Sequence, residues 1–361
     1  MNFDYSDEQR MLADGAERLG KDVWPSSDRL KLLENFDELT AGTWAQMAEL
    51  GWLMLPIAED DGGLGGSPVD VMAIMEGVGR HLVAMPYVAN AVLVPALIGG
   101  DAAAQDVLAA IGEGSAKAAA GLLEPDSGYD LAWVETTAAP DGTLTGEKVH
   151  VEDGADADWF VVTAKGEAGL SLYLVAADAP GLTVSRFRAI DQHRHARLKL
   201  DGVPATLIGE AGSALPIVEL AVDKAICAHL AEAVGSMEAA HTATLEYLRT
   251  RKQFGVAIGS FQALQHRAVD MAIAVEEARA MSYRATLSLG LPTAERRRVV
   301  SAAKARVGQC GLFVGRQAVQ LHGGVGFSDE LIISHHLKRQ MMLETAYGSA
   351  EHHLARVAGA A

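Results

Sequence analysis

Cysteine is almost missing from this chain: there are two residues, Cys227 and Cys310, in 361. Both fall in stretches with helical periodicity, which argues against a disulfide-stapled secreted scaffold and for a reducing compartment. Positive charge is also scarce, with 30 Lys and Arg against 47 Asp and Glu and a formal net charge of −17. Such a surface repels a phosphate backbone, so nucleic acid is a poor partner, and an anionic ligand needs a local basic feature. No apolar run is long enough to span a bilayer, and the opening MNFDYSDEQR is acidic where an export signal is basic and then apolar, so a cytoplasmic protein is expected. What is present, 49% hydrophobic and 21% charged residues, is the composition of an ordinary globular enzyme with two or three packed units.

The hydrophobic period changes twice. Up to about Gly114 it is helical, with Ser6 as a cap, a glycine-rich connector from Ala58 to Pro68, and a new helix beginning at that proline. The connector has neither a preceding strand nor the GxGxxG spacing of a phosphate loop. From about Ala118 to Glu210 the period is that of strands, as in Trp159 to Val162 and Leu172 to Val175, with Asp141 and Gly142 marking a hairpin. After Ala211 helices return: one striped by Leu230, Val234, Met237, Leu245 and Leu248, one from about Gln262 to Leu289, one from Thr293 to Leu321, and a last from Glu330 to Val357. This order predicts three domains, 1–117, 118–210 and 211–361. It argues against a doubly wound nucleotide fold, which alternates strands and helices from the start.

Two strings carry chemistry. RTRKQFGVAIGSFQALQ contains Arg251, a permanent cation in an acidic protein and a suitable clamp for a pyrophosphate. In the same string Gly255 permits a sharp turn, Phe254 offers an aromatic face, and Gln253 and Gln262 offer amides. QLHGGVGFSDE contributes Gln320 and the glycines Gly323 and Gly324, where a backbone can approach a ligand closely. Taken alone, Arg251 reads as a solvated arginine and the glycines as helix punctuation. In this order and architecture, the strings resemble the acyl-CoA dehydrogenase family over the whole chain.

That resemblance implies an α+β multi-domain fold: an N-terminal helical domain, a middle antiparallel β domain and a C-terminal four-helix bundle. It also implies FAD as cofactor, an acyl-CoA thioester as substrate and an electron-transferring flavoprotein as acceptor. By the same resemblance, the two strings reach across a subunit boundary to hold the adenosine and pyrophosphate of a neighbour's FAD, in a dimer of dimers. Arg251, Gln253, Phe254, Gln262, Gln320, Gly323, Gly324 and Ser349 are the implied cofactor contacts.

The chain departs from the family where the chemistry is done. Relatives usually place a catalytic glutamate twenty residues after the Phe of the GGxGF string, and Tyr347 stands there, followed by Gly348 and Ser349. A phenol with an ordinary pKa near ~10 is a poor base at neutral pH. The alternative family position, on the earlier long helix, corresponds to Ala225. Glu344 and Asp223 are the nearest carboxylates, but their spacing points each away from its site. The β domain has LEPDSGYD, with Leu123 where a hydroxyl would face a flavin and Tyr129 in place of a serine. His150, Val151 and Glu152 stand in place of a Trp-Ile-Thr segment, and Glu152 would sit unfavourably beside an anionic flavin. The pattern resembles the small, non-catalytic subunits of heteromeric family members, of the pimeloyl-CoA or steroid side-chain type, which complete a large subunit's FAD site. A self-sufficient enzyme with a non-standard base and a non-enzymatic acyl-CoA binding scaffold are the competing readings. The pairs His335/His336 and His352/His353 read as surface or interface histidines, with no metal site expected, and Arg296 to Arg298 as a solvated helix face.

Overall fold

The computed structural model describes residues 4–359; the first three residues of the acidic opening lie outside that range. Ser6 starts α1 (Asp7–Val23) through a reciprocal cap: its hydroxyl accepts from the Gln9 amide at 3.2 Å, and the Gln9 side chain accepts from the Ser6 amide at 3.0 Å. Then come α2 (Arg29–Glu34), α3 (Phe36–Glu49) and the glycine connector. α4 (Pro68–His81) starts on its proline, whose fixed φ suits a first turn, and α5 (Val94–Ile98) and α6 (Gln105–Gly112) close the helical section.

Eight strands follow: β1 (Ala118–Gly121), β2 (Thr137–Ala138), β3 (Thr143–Val151), β4 (Trp159–Gly166), β5 (Gly169–Ala176), β6 (Leu182–Arg188), β7 (Arg194–Pro204) and β8 (Thr206–Ile208). They form one sheet in the order β6-β7-β3-β2-β4-β5-β8, with β1 also beside β4. The hairpin read at Asp141-Gly142 joins β2 to β3, and the Asp141 carboxylate accepts from both the amide and the hydroxyl of Thr143. Most pairings are antiparallel, as expected, but β1 and β2 run parallel to β4, so the sheet is mixed. The intervening chain, residues 122–158, is long enough to serve as the crossover that parallel pairing requires, and alternation of side chains carries no strand direction. Phe160, Val162, Leu198 and Leu200 lie at the centre of its buried core.

The C-terminal part contains α7 (Ala214–Thr250), a two-strand ribbon of β9 (Lys252–Gln253) and β10 (Val256–Ala257), then α8 (Gln262–Leu287), α9 (Thr293–His322), α10 (Ile332–Thr345) and α11 (Ala350–Val357). The single last helix expected from 330 to 357 is therefore two. Tyr347 takes φ 56° and Gly348 φ 122°, and the Ser349 hydroxyl caps the new start by accepting from the His352 amide. Helical periodicity on both sides of the break hid it; only Gly348 marked it.

By packing, the chain divides into two compact units: Met1–Leu39, Pro68–Ala84 and Ile226–Ala361 form one, and Thr40–Ser67 with Met85–Ala225 the other. In the first, α4 and α7 are in backbone contact, since a Cβ at Gly79 would strike the Glu232 carbonyl and one at Gly235 the Glu76 carbonyl. Gly308, Gly311 and Gly315 of α9 make a similar seam against Glu344, Gln340 and Leu337 of α10. Buried Arg339 fixes α10 to α7 through both oxygens of buried Glu232, at 2.6 and 2.7 Å. No helix among the described residues is long and apolar enough to cross a membrane.

Candidate functional site

Arg251 lies where α7 gives way to the ribbon. Its amide donates to the Tyr247 carbonyl and its own carbonyl accepts from the Ile258 amide, so the backbone is fixed at both ends. The ribbon turns on Phe254 (φ 54°) and Gly255 (φ 83°), two left-handed residues in succession, the geometry that matches strand twist in a two-residue hairpin. That turn leaves the Phe254 ring 88% exposed. The Arg251 guanidinium is exposed and makes no hydrogen bond or ion pair among the described residues. Gln262 is the first residue of α8, exposed at the positive end of a 26-residue helix, and the Gln265 side chain ties that end to the turn after the ribbon through the Gly259 carbonyl.

The second string arrives from the end of α9. His322 stacks on Tyr247 with ring centroids 4.4 Å apart, one turn before Arg251, and its Nδ1 meets the Ala318 carbonyl at 2.8 Å. Burial pushes the His322 pKa down, so the ring is neutral. This stack brings together two strings separated by about seventy positions. Gln320, Gly323 (φ 67°) and Gly324 are exposed beside it, and a Cβ at Gly255, Gly323 or Gly324 would meet nothing within 4 Å, so the backbone there is open to an approaching group. Val256, Phe261, Val325 and Phe327 add exposed apolar surface, Phe327 at 77%. An unpaired arginine, a helix N-terminus and open glycines within a field of exposed apolar side chains suit an anion held at a protein boundary.

Ser349 sits elsewhere, as the cap of α11. Beside it, Tyr347 is half-buried, with its ring stacked on buried His229 of α7 at 5.7 Å and 23°. Glu344 is engaged structurally, its Oε1 accepting from the Ala350 amide at 2.9 Å, which disqualifies it as a free base. Asp223 is buried in α7. Sequence reasoning missed Lys304: it lies buried on α9 and donates to the carbonyls of Leu343 (2.6 Å) and Glu344 (2.8 Å), capping the end of α10. A lone lysine in a helical stretch gave no sign of it.

In the second unit, Leu123 and Val149 form a bridge, so the strings LEPDSGYD and GEKVHVED do lie side by side. His150 is exposed at φ 51°, and Glu152 is half-buried. Beneath them Lys148, fully buried, donates to buried Glu124 at 2.6 Å and to the Thr163 hydroxyl at 3.0 Å. Glu124 also accepts from the Thr136 hydroxyl and from the amides of Glu135 and Thr136. Burial lowers the Lys148 pKa to about 8 against the pull of Glu124. Burial opposes ionisation of Glu124 too, but the bonds from Lys148, Thr136 and Glu135 win and hold it below the usual range.

Two surface assignments are corrected. His335, His336 and His353 are buried, because each accepts or donates a bond that lets a neutral ring be interior: His336 Nδ1 with Ser236, His335 Nε2 with the Asp329 carbonyl, and His353 Nε2 with the Tyr347 carbonyl. Arg296 is buried as well, while Arg298 is exposed. Among the described residues no group of three His, Cys, Asp or Glu is placed to hold a metal ion.

The buried histidines set a pH dependence. Burial lowers the pKa of His336 and of His353 to about 3, reinforced by the positive charges of Arg29 and Lys304 respectively. An unfolded histidine titrates near ~6.5, so the unfolded chain takes up protons first as pH falls. Each ring's contribution is complete above that value and is lost between pH ~6.5 and about 3, by roughly 3 kcal/mol per ring at pH ~4. Urea midpoints at neutral and acid pH check this, and His336→Asn is expected to flatten the slope.

Models of the acyl-CoA dehydrogenase N-terminal, middle and C-terminal domains match residues 6–115, 119–203 and 220–361. The chain is 28% identical to the probable acyl-CoA dehydrogenase YngJ of Bacillus subtilis, covering 97% of each. It is 29% identical to a solved variant of the Tcur3481-Tcur3483 steroid ACAD, covering 98% of this chain and 97% of that one, with a TM-score of 0.88. PigA with FAD and proline is 26% identical over 100% of both chains, also at a TM-score of 0.88.

Proposed function

Because the chain belongs to the acyl-CoA dehydrogenase family, whose proteins bind FAD, we propose that it acts as a non-catalytic subunit completing the FAD site of a larger partner. The observation that carries this is Tyr347, a phenol packed flat on His229 at the position where the resemblance expects a carboxylate. When bound, the flavin supplies the hydride acceptor for α,β-dehydrogenation of an acyl-CoA thioester.

The residues fit one half of the cofactor. Arg251 would clamp the diphosphate, with the N-terminus of α8 adding positive potential, Gln253, Gln262 and Gln320 offering amides, and Gly323 and Gly324 allowing close approach. Phe254 and Phe327 would be covered by the neighbouring subunit. The residues fit the ring half poorly: Leu123 offers no hydroxyl, His150 stands in a strained conformation, and Glu152 brings negative charge. A side chain able to take the α-proton in a dry pocket is missing from the expected place, since Glu344 is engaged by Ala350 and Tyr347 is a phenol. Ser349, capping α11, holds the turn rather than a ligand.

In this reading the assembly is a mixed tetramer in the cytoplasm. Similarity to a steroid ACAD supports a steroid thioester as its substrate, while the family resemblance implies a fatty acyl thioester as the other choice and an electron-transferring flavoprotein as acceptor. The three stretches 1–117, 118–210 and 211–361 serve as its functional domains. Expressed alone, the chain is expected to be colourless and inactive; co-expressed with a large subunit that keeps its glutamate, it forms a yellow, active complex. A yellow, active preparation of the lone chain would refute this. Tyr347→Phe separates the self-sufficient reading: the complex keeps its turnover if Tyr347 is no base, whereas an enzyme using the phenol loses it.

A further inference from the structure

The turn between α10 and α11 is braced more heavily than joining two helices requires. Lys304 holds the carbonyls of Leu343 and Glu344, the Glu344 carboxylate holds the Ala350 amide, and Ser349 caps α11. His353, with no exposed surface, donates to the Tyr347 carbonyl at 3.0 Å, and its ring packs where a Cβ on Gly348 would go. At the centre of these contacts Tyr347 keeps φ 56°, which costs a bulky residue roughly 1–2 kcal/mol. Strain of this kind persists only where the surroundings over-determine it, and it gathers where one side chain must be held in one direction. The side chain held here is the Tyr347 ring, laid over the imidazole of His229.

We propose that Tyr347 is a fixed stopper: its ring covers His229 and closes this chain's own acyl thioester position. The inference rests on reading the chain as a completing subunit and explains how it avoids competing with its partner for substrate. Tyr347 as a whole is half-buried, and its ring face lies against the buried imidazole. The bonds from Lys304 and His353 prevent the turn from swinging aside, so exclusion does not depend on a transient closure.

Two probes test this on the folded full chain: diethyl pyrocarbonate, with His229 carbethoxylation read by peptide mass spectrometry, and butyryl-CoA, titrated calorimetrically. Tyr347→Gly removes the ring while suiting the left-handed backbone, so the turn keeps its path. The wild type is expected to protect His229 and to bind no butyryl-CoA. The glycine variant is expected to react at His229 at least about tenfold faster and to bind butyryl-CoA saturably, a change worth about 1.4 kcal/mol or more. Tyr347→Phe, which keeps the ring, should match the wild type in both. Should the glycine variant lack a cooperative melt, Tyr347→Ala carries the same expectations. Equal protection of His229 in the wild type and in a folded ring-less variant overturns the proposal, as does butyryl-CoA binding of equal strength to both. Failure of the subunit reading shows differently, as turnover by the lone wild-type chain.

Discussion

Replacing Arg251 with alanine is expected to weaken FAD retention in the assembled protein about 100-fold, with almost no change in the stability of the chain itself. Two charge-assisted hydrogen bonds from a guanidinium to a diphosphate are together worth roughly 3 kcal/mol, which corresponds to that factor. Arg251 touches no other side chain by hydrogen bond or ion pair among the described residues, so its loss leaves nothing unpaired, and an exposed substitution of this kind shifts stability by less than about 0.5 kcal/mol. Arg251→Lys keeps the charge but loses the planar fork, so it should recover only part of the affinity. Flavin absorbance after gel filtration, together with the urea midpoint of the lone chain, measures both quantities. Equal flavin content in the alanine variant and the parent would remove Arg251 from the site.

The second large effect concerns stability. Lys148→Met leaves Glu124 buried with its cation gone, and breaking a buried pair from one side costs about 3–5 kcal/mol. The three remaining donors, the Thr136 hydroxyl and the amides of Glu135 and Thr136, partly compensate, so the lower end of that range is expected. Removing both partners, as Lys148→Met with Glu124→Leu, should restore a substantial part of the loss, because the uncompensated charge disappears with its partner. Denaturant midpoints of the two variants decide it. A double variant no more stable than the single would mean that the Thr136 bonds, and not the charge, hold the corner between β3 and the strand-free segment after β1.

The helices could be located from the sequence because their apolar stripes were long and their boundaries carried chemical markers: Ser6, Pro68, Pro292 and Gly323 each stand at a start or stop. The Asp141-Gly142 hairpin was legible for the same reason. The break at Tyr347 was not, since a tyrosine in left-handed conformation has no local preference for it and is held there by Lys304 and His353, distant in the chain or beyond the break. Buried His336 and Arg296 were likewise misread as surface residues, because polarity in a sequence says nothing about whether a partner waits inside.

By itself, the sequence determined the order of helices and strands, the family, and the missing carboxylate at position 347, since these depend on periodicity, motif spacing and residue identity, all local properties. Only the tertiary structure decided that Tyr247 and His322 bring two distant strings to one end of the helices, that β1 and β2 lie parallel to β4, and that Tyr347 rests on His229. Those facts come from packing between segments far apart in the chain, where close contact, burial and hydrogen-bond satisfaction select among arrangements that local preference leaves equal.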